Sequence, residues 1–239
     1  MKKRLLNSKL RALTNKIHDK SLRKKIVDLL ENPTFEADGK TYSGLSLEVA
    51  PAGRSHHHSY PGGYIEHIAS TSNLALAMCN SVERIYHGKV NRDFVLAGVL
   101  LHDAFKPVTY TVDKRGNYGS THLGEYLDHL SLATSELARR GFPLEIIHIV
   151  TSHHGQYGPI RPKTVEALIC HLADLMDSRL NGEVLSAAEY LSRMAVGQEQ
   201  FGLTSKEAFE IVHSKSIEGW QGVAKTVEKI KQKRRTHKP

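Results

Sequence analysis

The chain has 239 residues, 40% of them hydrophobic, and a formal charge of +8 from 33 Lys and Arg against 25 Asp and Glu. That length allows one fair-sized core with at most a small accessory piece, in the composition range of ordinary soluble proteins. Two cysteines exclude a disulfide framework, no apolar run approaches the roughly 20 residues of a membrane helix, and the basic start lacks a signal-like apolar stretch, so a cytoplasmic chain without membrane attachment is expected.

Residues 1–31 carry Leu5, Leu10, Leu13, Ile17, Leu22, Ile26 and Leu30 at near-helical spacing, which predicts one or two amphipathic helices. The stretch NPTFEADGKTYSG interrupts them, and its Asp38-Gly39 pair between β-prone residues predicts a small hairpin. A loop follows, PAGRSHHHSYPGG, too rich in Gly and Pro for regular structure. From Gly63 the chain reads as helix through YIEHIASTSNLALAMCNSVERIY, and again through NRDFVLAGVLLHDAF, where Asn91 is a fitting cap. VTYTVDKRGNYG predicts a hairpin or ordered loop. Helical patterns resume over 120–139, 143–153, 162–180, 184–195 and 205–234, with a basic tail expected to fray after Ile230. The fold class is therefore all-α, a helical bundle with small β excursions.

The stretch LAGVLLHDAFKP sets His102 beside Asp103 at the end of an apolar run. An imidazole and a carboxylate buried together need a compensating charge or a full set of hydrogen bonds, and a divalent metal supplies that charge. Other acid–imidazole groups fall in or at the ends of predicted helices: His67, His122, the pair His153–His154, and Asp174. Helices can bring them to one interior site, and a set of imidazoles and carboxylates without thiols suits Zn, Fe or Mn. His87 and His148, isolated on their helices, read as surface or packed residues.

The ordered set His67, His102–Asp103 and Asp174 resembles the HD-domain superfamily of metal-dependent phosphohydrolases, over residues 55 to about 180. That resemblance implies an HD-domain helical core at 55–195, preceded by a helical segment and hairpin at 1–54 and followed by helices and a basic tail at 196–239. It also implies two divalent transition metals, Fe²⁺ or Mn²⁺ with Zn²⁺ or Ni²⁺ as alternatives. His67, His102 and Asp174 would hold the first, His122, His153 and His154 the second, and Asp103 would bridge them. Lys106, three residues after Asp103, would neutralise a substrate phosphate, although HDAFKP departs from the small residue and glycine more usual there. The flanking segments HHSYPGGYIEH and SHHGQYGPIRPKTVEALICHLADLMDSRL resemble the HD domain of bacterial 3′–5′ exoribonucleases. The compact, stand-alone chain is similar to archaeal cyclic phosphodiesterases that open dihydroneopterin 2′,3′-cyclic phosphate.

In the glycine-bounded loop, His57, His58 and Tyr60 are candidates to donate a proton to a leaving oxygen or to bind a heterocyclic ring. Arg161 and Lys163 either contact substrate phosphate or decorate a helix start. Asp177 reads as a partner of a ligand or a surface acid. A small phosphorylated heterocycle is the leading expectation for substrate, with RNA or a nucleoside monophosphate as the alternative. A non-catalytic module binding a nucleotide or protein is the reading from a different class. The basic ends fit a solubilising surface or attraction of anionic substrates, and the terminal helices could form a homo-oligomer.

Overall fold

The computed structural model describes residues 6–114, 116–197 and 202–236. Leu5 of the predicted N-terminal stripe lies outside them. Two short helices open the fold, α1 (Ser8–Thr14) and α2 (Lys20–Glu31), capped by the side chains of Asn7 and Asp19. Strands β1 (Thr34–Ala37) and β2 (Lys40–Ser43) pair antiparallel across the Asp38-Gly39 turn. Helices α3 (Gly63–Arg84) and α4 (Arg92–Leu101) follow, the second capped by Asn91, whose Oδ1 accepts from Phe94 N at 3.1 Å. A single turn, α5 (Lys106–Thr109), leads into the antiparallel pair β3 (Tyr110–Val112) and β4 (Tyr118–Ser120). The remainder comprises α6 (His122–Tyr126), α7 (His129–Arg139), α8 (Leu144–Thr151), a 3₁₀ turn at Gly155–Tyr157, α9 (Val165–Val196) and α10 (Ser205–Thr236), the last in two parts divided at Gly219. Among the described residues no helix is long and apolar enough to cross a membrane.

Helix α4 forms the centre of the bundle. Every residue from Val95 to Leu101 is buried, and α2, α3, α8 and α9 pack around it. Gly98 lets α8 come close: a Cβ there would lie 2.3 Å from Ile149 Cγ2 of α8. This contact draws the C-terminal ends of α4 and α8 together, and those ends carry His102 and His153. A second, smaller apolar cluster joins the C-terminal half of α9 to α10 through Leu185, Ala188, Ile211 and Val223.

Four expectations need correction. Helix over 120–139 is broken at Leu127, because Asp128 caps a new helix by accepting from Ser131 N at 2.7 Å. The segments 162–180 and 184–195 form one helix instead of two. Asn181 and Gly182 do not end it: the Asn181 side chain is buried, accepting from His58 N at 2.7 Å and donating to Ser205 Oγ at 2.6 Å. Gly182 leaves room for the crossing loop, where a Cβ would sit 3.3 Å from His56 O. The C-terminal segment 205–234, expected as one helical run, is broken at Gly219 (φ 65°, ψ −150°) and its second part folds back on the first, while the basic tail stays helical to Thr236, held by Arg234 Nη2 at 2.6 Å from Glu207 Oε2.

Candidate metal centre

The ends of α4 and α8, the N-terminal third of α3 and the middle of α9 meet around the Asp103 carboxylate. His67 and His102 point their Nε2 atoms at each other across 3.1 Å, and Asp174 Oδ1 stands 3.3 Å from the first and 3.7 Å from the second. On the other side, single nitrogens of His129, His153 and His154 come within 4.8 Å of one another. Asp103 lies between the two groups. Its Oδ2 faces His67 Nε2 at 3.5 Å and His102 Nε2 at 3.4 Å, while its Oδ1 faces His129 Nε2 at 3.4 Å and His153 Nε2 at 3.7 Å.

The opposite edge of three rings is fixed. His67 Nδ1 donates to Asp177 Oδ2 at 2.7 Å, His102 Nδ1 to Val99 O at 2.9 Å, and His153 Nδ1 to Val150 O at 2.6 Å. Each bond occupies Nδ1 and leaves Nε2 aimed inward, the arrangement by which a metal-ligating imidazole is oriented from behind. Inside the cluster, Asp103 Oδ1, His129 Nε2 and His153 Nε2 are buried without a hydrogen-bond partner, and Asp103 Oδ2 is met only by the Lys106 ammonium. Orphaned groups of this kind are costly unless a further partner satisfies them. The donor set, the inward nitrogens and the orphaned atoms together fit divalent cations.

The electrostatics agree. Burial alone would push the Asp103 carboxyl up, but Lys106 and the rings of His102, His67 and His129 hold it well below the usual range. Lys106 Nζ lies 2.6 Å from Asp103 Oδ2 with its side chain only 11% exposed. Burial pulls the His67 ring toward neutrality, yet Asp103, Asp174 and Asp177 outweigh it and raise its affinity for positive charge well above an ordinary imidazole's. Burial lowers His129 to about 4 and His153 well below its ordinary value. These two rings are therefore neutral at pH 7, with lone pairs available for ligation.

The structure gathers His67, His102, Asp103, Lys106, His153, His154 and Asp174, and leaves out His122. That ring is 77% exposed at the start of α6, 3.9 Å from Glu125 Oε2. His129, the first residue of α7, occupies the place expected of it. His57 and His58 do reach the cluster: their ring centroids lie 5.2 and 5.3 Å from that of His67. His58 is 2% exposed, with Nε2 3.7 Å from Asp177 Oδ2. Burial, reinforced by the nearby His67, lowers His57 to about 4 and His58 to about 3.

Tyr60 faces away, buried in the smaller core with its hydroxyl on Ser205 Oγ, because the turn before Gly63 points it at α10. Arg161 and Lys163 are exposed on the bend leading to α9, where Lys163 N donates to His148 Nε2 at 3.0 Å. Beside the cluster opens a cleft of about 310 Å³, lined by His153, His154 and Asp174 and by Gln156, Tyr157, His171, Leu175 and Ser178. Asp177, weighed in sequence as a ligand's partner or a surface acid, is buried and lies directly behind the His67 ring. Asp177→Asn is expected to weaken metal binding by roughly 10–100-fold, read by titration against a competing chelator. Unchanged affinity would remove Asp177 from the metal site.

The HD-domain family model matches residues 64–179, which contain Asp103 and both imidazole groups around it; His57 and His58, which form a third possible ligand group with His67, precede the match. A dihydroneopterin 2′,3′-cyclic phosphate phosphodiesterase of Methanocaldococcus jannaschii is 39% identical over 222 residues, covering 92% of this chain and 86% of that protein. The 3′–5′ exoribonuclease YhaM of Listeria monocytogenes is 37% identical over 141 residues, and that of Bacillus licheniformis 34% over 150. Both matches cover 55% of this chain and 43% of the relative, so the chain spans less than half the length of those exoribonucleases. No solved structure matches the chain significantly.

Proposed function

The chain belongs to the HD-domain superfamily of metal-dependent phosphohydrolases, and we propose that its substrate is a small heterocycle carrying a 2′,3′-cyclic phosphate, of the dihydroneopterin type. The observation that carries a two-ion reading is the division of the Asp103 carboxylate, one oxygen facing each imidazole group. His67, His102 and Asp174 would hold one cation, His129, His153 and His154 the other, with Asp103 shared. Fe²⁺ or Mn²⁺ suits this donor set, and Zn²⁺ or Ni²⁺ would also fit. Bound metals lower the pKa of water and draw charge from a phosphoryl oxygen.

The chain's own groups do the rest. Asp177, Val99 O and Val150 O keep Nδ1 of three rings protonated, so that each presents its lone pair inward. Lys106 carries the positive charge nearest Asp103 and is placed to offset the charge that develops on phosphorus oxygens. His57 sits in the loop above Asp174, close enough for its ring nitrogen to meet Ser178 Oγ at 3.4 Å. It is assigned the hydrogen bond to the leaving oxygen: as the oxygen of a water bonds to phosphorus and the ring P–O bond breaks, the leaving oxygen takes up the proton that the water gives up. His58, enclosed, supports Asp177. Arg161 and Lys163 lie outside the cleft and add only long-range attraction for anions.

A cleft of about 310 Å³ suits one ring system and one phosphate. Tyr157 and Gln156 on its wall offer a stacking face and an amide for a heterocycle's edge. The strong similarity to the M. jannaschii phosphodiesterase, over most of both chains, supports the same substrate class. The free, buried Cys79 and Cys170 suit a cytoplasmic setting.

The test is a panel supplemented with Fe²⁺ and Mn²⁺ under anaerobic conditions. It would compare dihydroneopterin 2′,3′-cyclic phosphate with 2′,3′- and 3′,5′-cyclic nucleotides, nucleoside monophosphates and a short single-stranded RNA. Opening of the cyclic pterin to a phosphomonoester is the expected result. Efficient shortening of RNA with negligible opening of any cyclic monomer would replace this reading with an exonuclease, and release of inorganic phosphate from monophosphates with a nucleotidase.

A further inference from the structure

Helix α9 packs one flank against α3, α4 and α10. Its opposite face should be polar in a chain that works alone. It is apolar instead. Val165, Leu168, Leu172 and Met176 follow one another at spacings of three or four and are 44, 47, 37 and 50% exposed. Farther along the same face stand Tyr190 at 50% and Met194 at 58%. Between the two apolar halves lie Arg179 and Glu183, both exposed. Among the described residues neither of these two charges has an ion pair or hydrogen bond within the chain.

The face has a further property: its two charges and four of its apolar residues are placed symmetrically about one point. Asn181 marks the midpoint, flanked at equal separations by Arg179 and Glu183, then by Leu172 and Tyr190, then by Leu168 and Met194. An antiparallel pairing of two such faces about a two-fold axis would set unlike charges together at the centre and, on both arms, Leu172 against Tyr190 and Leu168 against Met194, with Met176 falling opposite Ser186. That is the self-complementarity an isologous contact requires. A partner of different sequence would need no such symmetry, and an anionic membrane would favour a lysine-rich border that this face lacks.

We propose that the face is the docking surface for a second copy of this chain, joined antiparallel along α9. At the axis Arg179 of each copy meets Glu183 of the other. The stretch from Leu168 to Met194 is about 40 Å long, and a strip roughly 10–12 Å wide supplies about half of the ~800 Å² per partner of a standard interface. The dimer is therefore expected to be reversible, with dissociation in the micromolar range. Leu175 borders both this face and the cleft beside the metal cluster, so the partner would wall one side of that cleft.

Sedimentation velocity on the full chain, from about 1 to about 100 µM, tests the idea. The parent chain should pass from monomer to dimer over that range. Arg179→Glu and Glu183→Arg, each placing like charges at the axis, should weaken self-association by at least about tenfold. Both positions are exposed, and circular dichroism would verify the fold. Mixing these two variants should restore a dimer, now containing one copy of each, because every axial pair is again unlike. The double variant Arg179→Glu/Glu183→Arg should also dimerise like the parent. A monomer throughout, whether the face is bare or serves some other protein, overturns the proposal. So does a dimer indifferent to charge reversal.

Discussion

Asp103→Asn should fold like the parent chain and turn over substrate at least about 10³-fold more slowly, the loss of several kcal/mol of charge stabilisation at the reacting centre. The substitution keeps volume and shape but removes the one negative charge that faces both imidazole groups. It also leaves the Lys106 ammonium without its partner at 2.6 Å. Unpairing a fully buried ion costs about 3–5 kcal/mol. Lys106 retains some exposure and can turn toward water, so about 2–3 kcal/mol is expected, with the buried run Val95–Leu101 untouched. Circular dichroism, a thermal melt and a bis(p-nitrophenyl) phosphate assay separate the two effects. Near-parental rates in a folded Asp103→Asn chain would reject the shared carboxylate.

The exchange of His122 for His129 carries the second large effect. His129→Ala should lose about one equivalent of bound metal and at least about 10²-fold in rate, the range seen when groups holding a metal are removed. His122→Ala, cut from an exposed ring, should retain both. Elemental analysis after anaerobic reconstitution reads the stoichiometry directly. Retention of full metal in His129→Ala and its loss in His122→Ala would restore the sequence assignment.

That exchange shows where the sequence was legible and where it was not. His67, His102, Asp103, His153, His154 and Asp174 stand at the ends or on the buried faces of strongly periodic helices, and their convergence follows from the bundle. His122 and His129 each begin a short helix behind a capping residue, Thr121 and Asp128. A signal did distinguish them. His129 shares its helical face with the buried Leu132 and Ala133, whereas His122 shares its face with the exposed Glu125 and Tyr126. Reading 120–139 as one helix concealed this difference.

The continuity of α9 was hidden for another reason. Asn181-Gly182 is a breaker by local preference, and only the arrival of the His56–His58 loop from far away gives both residues their use. Tyr60 was misplaced because a tyrosine among histidines and glycines resembles a ligand contact equally well whichever way its turn points. The two hairpins and the cap at Asn91 depend on neighbours alone, and they were readable.

The three hydrogen bonds behind the imidazoles differ in how they are inherited. His102 and His153 lean on the carbonyls of Val99 and Val150, atoms that any amino acid at those positions would supply. No codon change can delete them while the helices persist. His67 leans on Asp177, a side chain that one base change turns to asparagine. Mutational damage to ring orientation should therefore be lopsided: a library spanning the chain would find positions 99 and 150 open to any residue that packs, and position 177 closed. The backbone insures two corners of the site against drift, and selection alone guards the third.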